Sequence, residues 1–463
     1  MFLICFLLLV LVWVLKMPAK RPPLYEITKE TYTTLISCLA ENLKAIPDNQ
    51  QIVLDRPDGG TTNVFRERIG TAQRLDLRGL NAVILAGASG IDVGGSVRFD
   101  DLVDYTLRRG FMPLVVPELI SITVGGAFSG VAIESSSFRH GLFHETVDEV
   151  DVLLADGTCV TTKAGEPLFQ ALPNSYGTLG YIVRLRIRLI HAPAYISLTR
   201  FDFCSPQSFF NHLRQEHQLG VRFLEGIAFS GTRFSVLQGS CCCSGSGPLL
   251  DSRSRAFCDV LQSGPPTFLM TPRDYFFRWD SDAFFSTPPF LRYRAVRYLL
   301  AGLLSSDSLR WAAKALRLGG GDAGREKIVQ DVGLPIAQCV EFFQWVDQCL
   351  GMYPIWICPY KDSNRFPLCK CIGKAEDKYL CCDFGLGFGL PGPVRGKDPD
   401  HHLKSIENKL IELQGTKGLY SKNCYTEEVF WSHVVDGAGY HEWKSQLDPN
   451  GKFYSLWQKV TRY

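Results

Sequence analysis

Apolar side chains recur along this chain with two different periods, and the changes between them mark out short helices and short strands. Residues 29–43 place Leu35, Ile36, Leu39 and Leu43 on one side of a 3.6-residue period, which predicts an amphipathic helix. Strand-like runs follow at 51–54, 75–77 and 82–85. At 100–109 the stripe Leu102, Val103 and Leu107 predicts a second helix, and 111–116 reads as a strand that Pro117 stops. The run 147–154, an Asp156-Gly157 turn and a return through Val160 predict a β-hairpin. From 180 to 190, Ile182, Val183, Leu185, Ile187 and Leu189 are set against Arg184, Arg186 and Arg188, the pattern of a strand with one polar face. Two stretches rich in small residues, 239–266 and 319–324, read as loops. A helix at 340–350, an apolar strand at 354–359 and a helix at 403–413 complete the pattern. Helices and strands mix without a regular βαβ rhythm, so the expected class is α+β.

The N-terminus follows neither period. Residues 1–15 carry no charge, and Lys16, Lys20 and Arg21 follow among Pro18, Pro22 and Pro23. Such a run predicts a membrane-targeting segment over residues 1–22, a little shorter than the roughly 20 apolar residues of a full span. No small-x-small cleavage site follows, and the positive charges lie on the C-terminal side. An uncleaved single-pass anchor with a cytosolic body is therefore expected, with a cleaved signal as the alternative.

The 49 Lys and Arg nearly balance 47 Asp and Glu, leaving a net charge of +2 and no basic field for nucleic acid. With 46% apolar and 21% charged residues the chain is of globular type, and at 463 residues it exceeds one ordinary core. Its 12% of aromatic residues serve a core and also suit a pocket for flat apolar ligands. The 16 cysteines are scattered, some of them adjacent, and no Asn-x-Ser/Thr sequon occurs, which together favour a reducing compartment. Cys369, Cys371, Cys381 and Cys382 lack the spacing of a zinc site, so no metal is expected.

Candidate chemistry is densest at 117–141, PELISITVGGAFSGVAIESSSFRHG. Gly125, Gly126, Gly130 and the hydroxyls Ser135, Ser136 and Ser137 suggest exposed amides and side-chain donors for phosphate oxygens. Neither the dinucleotide fingerprint nor a P-loop is present, and a tight turn cluster is the other reading of the same glycines. A second small-residue segment, PNSYGTLG at 173–180, suggests close backbone approach to a ligand or a plain turn. A third, TNVFR at 62–66, offers an arginine to a phosphate or to solvent.

Taken in order, these segments resemble the FAD-binding PCMH-type domain of the vanillyl-alcohol-oxidase fold, and more narrowly the Diminuto-like family that includes delta-24-sterol reductases. The resemblance rests on PEL followed by TVGG, on IESSS before GLF, on LADG and on SYGTLG. It continues through TPRDYFFRWD (271–280), YPIWICP (353–359), CYTEEVFW (424–431) and DGAGY (436–440). It implies a two-subdomain FAD-binding domain over 23–195 and a C-terminal α+β cap or substrate domain over 196–463. It also implies FAD held at Thr123, Val124, Gly125, Gly126, Ala127, Phe128, Ser129, Gly130, Val131, Ala132, Ile133, Glu134 and Ser135, with Ser175, Gly177, Thr178 and Gly180 near the flavin and Asn63 and Arg66 in the first cofactor loop. The first loop has no histidine, and His140 and His144 lie downstream of the glycines, so non-covalent FAD is expected.

The resemblance further implies reduction of a carbon–carbon double bond of a lipid, the delta-24 bond of a sterol side chain, with NADPH as reductant and an endoplasmic-reticulum membrane as location. Tyr275, Arg278 and Asp280 are the candidate catalytic residues, as proton donor or head-group clamp, or else a structural aromatic-arginine stack. Tyr353 and Trp356 are read as core. The series Tyr275-Phe276-Phe277-Arg278-Trp279 departs from the Tyr-Tyr-His-Arg-His of animal and plant sterol reductases. That departure keeps a fatty acyl or small alcohol substrate, and a non-enzymatic lipid-binding role, open as alternatives.

Overall fold

The computed structural model describes residues 23–461 except 49, 56–72, 88, 217–220, 252–255, 281–296, 298–304, 306–327, 370–379, 390–397 and 399. The expected anchor at 1–22, Asn63 and Arg66, and the glycine stretch 319–324 lie outside the described residues. Among the described residues no helix is long and apolar enough to cross a membrane.

Strands β1 (Tyr25–Glu26), β2 (Ile52–Asp55), β3 (Gln73–Asp76), β4 (Ala82–Ala86), β5 (Gly90–Gly94), β6 (Phe111–Pro113), β7 (Val147–Leu153), β8 (Cys159–Lys163) and β9 (Tyr181–His191) make up the first part of the chain. All but β2 and β3 form one sheet in the order β1-β4-β5-β9-β7-β8, with β6 also on β9, while β2 and β3 pair in parallel with each other. The helix Lys29–Ala45 is capped by Thr28, whose Oγ1 accepts from the Thr31 amide at 3.2 Å. It buries Tyr32, Ile36, Leu39 and Leu43 in a cluster with Leu75, Leu77, Leu80 and Val183. The arginine face of β9 is not a solvent face throughout. Arg184 is buried and ion-paired with Asp151 at 2.7 Å, Glu149 at 2.5 Å and Asp92 at 3.5 Å, so strands on both sides supply the counter-charges.

Strands β10 (Tyr195–Phe203), β11 (Phe223–Ser230), β12 (Arg233–Cys242), β13 (Thr267–Met270), β14 (Ile328–Pro335), β15 (Ile355–Lys361), β16 (Leu380–Gly389) and β17 (Thr416–Lys417) form an antiparallel sheet in the order β13-β10-β12-β11-β15-β16-β14-β17. Its faces differ in chemistry. Leu224, Ala228, Val236, Ile355, Ile357 and Phe384 bury against apolar residues of the helices Pro206–Glu216, Cys339–Cys349 and His401–Glu412. Phe223, Ile227, Leu237, Trp356 and Cys358 point the other way and share one core with the first sheet.

Several expectations shift by tertiary context. The strand read at 111–116 is only Phe111–Pro113. The stretch read as a loop at 239–266 contains the end of β12 and a helix, Phe257–Ser263, that buries Phe257, Cys258, Val260 and Leu261. Strand β5 has a sequence, GIDVG, without a strand's bulk, because it runs too close to its neighbours for side chains. A Cβ on Gly94 would stand 2.0 Å from the Leu80 carbonyl oxygen.

Candidate flavin site

Thr123 begins the glycine-rich segment in extended conformation, and a short helix, Val124–Gly130, follows. The expectation of exposed amides here is corrected. The Val124 amide donates to Val97 O at 2.8 Å, Gly125 to Gly95 O at 3.0 Å and Ala127 to Thr123 O at 2.8 Å, while Gly126 is held by Thr123 Oγ1 at 3.3 Å. Gly125 serves backbone packing, since a Cβ there would come within 2.8 Å of Gly95 O, whereas at Gly130 it would meet only the Tyr176 ring at 3.5 Å. After the helix Val131 turns left-handed at φ 53, Ala132 donates to Ala127 O, and the amides of Glu134 and Ser135 are taken by Ser137 Oγ and Glu134 Oε1. Phe128 is buried, edge-on to Phe169, and Ser129 is buried as well, while Gly130, Val131, Ala132 and Ile133 are half-buried.

The second segment lies on the first. The Tyr176 amide donates to Ser129 O at 3.0 Å, and the Tyr176 hydroxyl reaches Gly130 O at 3.4 Å. Asn174, Tyr176 and Gly177 are left-handed, which coils 173–180 tightly. Ser175 Oγ donates to Leu172 O and Thr178 Oγ1 to Ser175 O, at 2.6 and 2.7 Å. Gly180 packs where a Cβ would lie 2.5 Å from Val152 Cγ1.

The chain's C-terminal end holds this coil. Tyr440 donates to Thr178 Oγ1 at 3.0 Å, Lys444 Nζ to Thr178 O at 2.8 Å and Lys459 Nζ to Tyr176 O at 2.5 Å. Nothing in the sequence reading anticipated these three contacts; a lone DGAGY motif does not disclose its partner.

Where the glycine-rich segment meets the second sheet, buried charges gather. Arg278 is fully buried. Its Nη2 donates at 2.7 Å to both Glu134 Oε1 and Glu225 Oε2, its Nε to Glu225 Oε1 at 2.9 Å and its Nη1 to Tyr275 O at 2.7 Å. The guanidinium stands 4.1 Å from the Tyr275 ring centroid. Burial opposes that charge, but Glu134 and Glu225 hold the Arg278 pKa well above its ordinary value. Glu225 also accepts from Trp279 Nε1 at 3.0 Å and Trp356 Nε1 at 2.7 Å. Tyr275 shares a 2.7 Å hydrogen bond with Ser135 Oγ, and burial pushes its phenol well up. Asp280 Oδ1 accepts from the Ile120 amide at 3.1 Å. The structure thus ties Tyr275, Arg278 and Asp280 to 118–135 through protein partners.

Glu118 completes the group. Burial, with the charge of Glu134 added, raises its carboxyl well above the ordinary range, and burial raises Glu134 despite Arg278. A second acidic pair sits further along the same sheet: burial pushes Asp331 up to about 6, and burial with the charge of Asp331 raises Asp383 well above the ordinary range. His140 and His144 are neutral, lowered by burial to about 4 and about 3. Trp356 is buried as expected of core, yet its indole N–H also serves Glu225. Glu225 was missed, although an acid inside the apolar run FLEGIAF is itself a signal of a buried partner.

These residues fit a flavin in part. Side chains along 123–132 are mostly small, and Ser121 Oγ, Asn174 Oδ1, Glu118 Oε1 and Glu134 Oε2 are buried polar atoms without a hydrogen-bond partner among the described residues. The amides of 124–127 do not provide a free cradle.

Comparison with known proteins bears on the domain and its cofactor. Residues 48–163 match the family model described as FAD binding domain. The chain is 27% identical over 375 residues to the Delta(24)-sterol reductase of Mus musculus, covering 75% of this chain and 69% of that protein. To the Delta(24)-sterol reductase of Arabidopsis thaliana it is 26% identical over 417 residues, 79% of this chain and 73% of that one. Cytokinin dehydrogenase 4 of Arabidopsis thaliana is 31% identical over 150 residues, 31% of this chain and 29% of that one. The chain carries a PCMH-type FAD-binding domain in a mixed α and β fold, is similar over most of its length to the Delta(24)-sterol reductases, and is a FAD-dependent oxidoreductase.

Proposed function

We propose that this chain reduces a carbon–carbon double bond of a membrane lipid, the delta-24 bond of a sterol side chain, with NADPH as the external reductant. The observation that carries the reading is likeness to Delta(24)-sterol reductases across both sheets, not the flavin domain alone. Cytokinin dehydrogenase 4 shares only a 150-residue stretch and bears on the cofactor rather than the substrate.

Non-covalent FAD would be held by Thr123 to Ser135 and by Ser175, Gly177, Thr178 and Gly180, with Asn63 and Arg66 on the first loop. Bound FAD supplies the hydride for one carbon of the double bond. The protein's part is to exclude water, fix the flavin's neighbours and provide an acid. Tyr275, Arg278 and Asp280 act as positioning residues: Arg278 joins Glu134 to Glu225 on β11, Tyr275 holds Ser135, and Asp280 holds the 120 backbone. The division proposed is an FAD-binding domain at 23–195 and a substrate domain at 196–463. Residues 1–22 serve as the membrane tether, in the endoplasmic reticulum with the body in the cytosol.

The test is to supply purified protein with NADPH and, in parallel, a sterol unsaturated at carbon 24 and an unsaturated fatty acyl lipid. A product two hydrogens heavier from the sterol alone supports the proposal. The same gain on the acyl lipid alone replaces the sterol by an acyl chain.

A further inference from the structure

The run 234–250, FSVLQGSCCCSGSGPLL, contains no charged residue and carries β12 out to three consecutive cysteines, two closing the strand and one just beyond it. All three thiols are free, and among the described residues no three His, Cys, Asp or Glu stand together as a metal site requires. Their surroundings differ. Cys241 packs against the core shared by the two sheets, and burial raises its thiol. Cys242 is half-buried, its sulfur donating to Tyr195 O at 3.6 Å. Cys243 is exposed, and so is every residue after it as far as Leu249, a stretch of Ser, Gly and Pro that sets little bulk around the sulfur.

This end of the second sheet is apolar at its tip and basic beside it. Leu249, 55% exposed, belongs to a segment that folds back on the edge strand β13, where the Leu269 amide donates to Pro248 O at 2.9 Å and that of Leu250 to Leu269 O at 2.8 Å. A Cβ on Gly245 would meet both Leu269 Cδ2 at 2.9 Å and Cys242 Sγ at 3.5 Å, so Leu249 and the thiols share one small surface. The Arg222 amide donates to Gly239 O at 3.0 Å and Arg139 Nη1 to Val221 O at 3.3 Å, which sets two exposed arginines next to the strand end. Positive charge there suits an anionic bilayer face. A path of contacts also joins this surface to the point where the chain emerges from residues 1–22. Glu26 accepts from Tyr105 at 2.6 Å and Arg109 at 3.0 Å, Gly110 O accepts from the Ala192 amide at 2.9 Å, and Tyr195, three residues on, pairs with Cys242.

We propose that Cys243, with Cys242 next to it, is S-acylated by a long-chain fatty acyl group, which fastens this end of the second sheet to the membrane. The proposal rests on the reading of residues 1–22 as a tether with the body in the cytosol, since the tether brings a surface thiol within reach of membrane-borne acyl donors. The donor is a fatty acyl-CoA thioester. The cysteine thiolate attacks its carbonyl carbon, a new C–S bond forms as the C–S bond to coenzyme A breaks, and the departing CoA thiolate takes up the proton that the cysteine gave up. Nothing is oxidised or reduced. A single acyl chain holds a protein to a bilayer only weakly and reversibly, so the group is a second attachment that orients the body rather than the anchor itself. Leu249 enters the same interface.

The test supplies cells making the full chain with an alkyne-tagged long-chain fatty acid and reads the tag on the purified protein before and after neutral hydroxylamine, which cleaves thioesters and spares amides. Hydroxylamine-labile label is expected on the wild type. It should fall about 10-fold or more in the double variant C242S, C243S, because a hydroxyl is a far weaker nucleophile than a thiolate, and stay unchanged in Cys241→Ser. Mass spectrometry of the wild type reads the site without any substitution: the acyl mass should sit on Cys243 or Cys242. A wild type with no labile label, or with the acyl mass on other cysteines only, overturns the proposal. Wild-type membranes stripped of acyl groups by hydroxylamine should retain the chain. Its release into the soluble fraction overturns the tether reading and leaves the acylation standing.

Discussion

The guanidinium of Arg278 satisfies two buried carboxylates and a backbone carbonyl at once, and its removal strands both acids in a dry interior. Arg278→Met is expected to cost about 3–5 kcal/mol, the usual cost of removing one partner of a buried ion pair. Thermal denaturation reads this as a large fall in Tm. The triple replacement R278M, E134Q, E225Q should recover much of that loss, which a purely steric defect would not. Tyr275→Phe, which gives up one hydroxyl contact with Ser135, should cost only about 1 kcal/mol.

Histidine sets the acid side of the stability profile at the same scale. His144 lies between Phe128 and Phe366 with both ring nitrogens unpartnered among the described residues, and burial lowers it to about 3 from an ordinary 6.5. Between those values the unfolded chain binds a proton that the folded chain refuses. Stability therefore falls as pH drops below 6.5, by up to about 1.4 kcal/mol per pH unit for one group. Glu118 has the opposite sign: its contribution is complete below 4.5 and fades as pH rises through its raised folded value. Denaturant titrations at pH 6.5 and 5 should show a flatter pH slope for His144→Gln than for the wild type.

Among elements, the coil 173–180 depends on groups far away in sequence. Lys444 and Lys459 donate to its carbonyls, and Tyr440 to Thr178. The double variant K444M, K459M should leave the second sheet intact and weaken FAD retention several-fold, measured as flavin released on dilution; unchanged retention would separate the coil from the cofactor. Elements with strong periods were legible in sequence: the helix Lys29–Ala45, the hairpin of β7 and β8, and β9. Strand β5 was not, because Gly94 answers to the Leu80 carbonyl and Gly90 to that of Ile187 rather than to any pattern along the chain. Likewise Gly125 misled about its amide: close approach was needed there, but by Gly95 and β9. Composition marks where backbones meet; it does not say whether the visitor is a ligand or the protein itself.

At the scale of the whole molecule, the second sheet presents apolar side chains to its own helices and mixes acids with aromatics on the face shared with the first. That asymmetry places Glu225 and Asp383 inside rather than on the surface, and no one-dimensional pattern of the second sheet alone reveals it. Residues 436–461 cross back to the first part of the chain, where Phe453 lies alongside Ile52 and packs tilted against Tyr181 at 4.5 Å between ring centroids. Residues 440–459 therefore have to be made before residues 173–180 meet the last of these partners. A polypeptide halted before Tyr440 would have its early half complete and yet lack all three contacts that brace that coil.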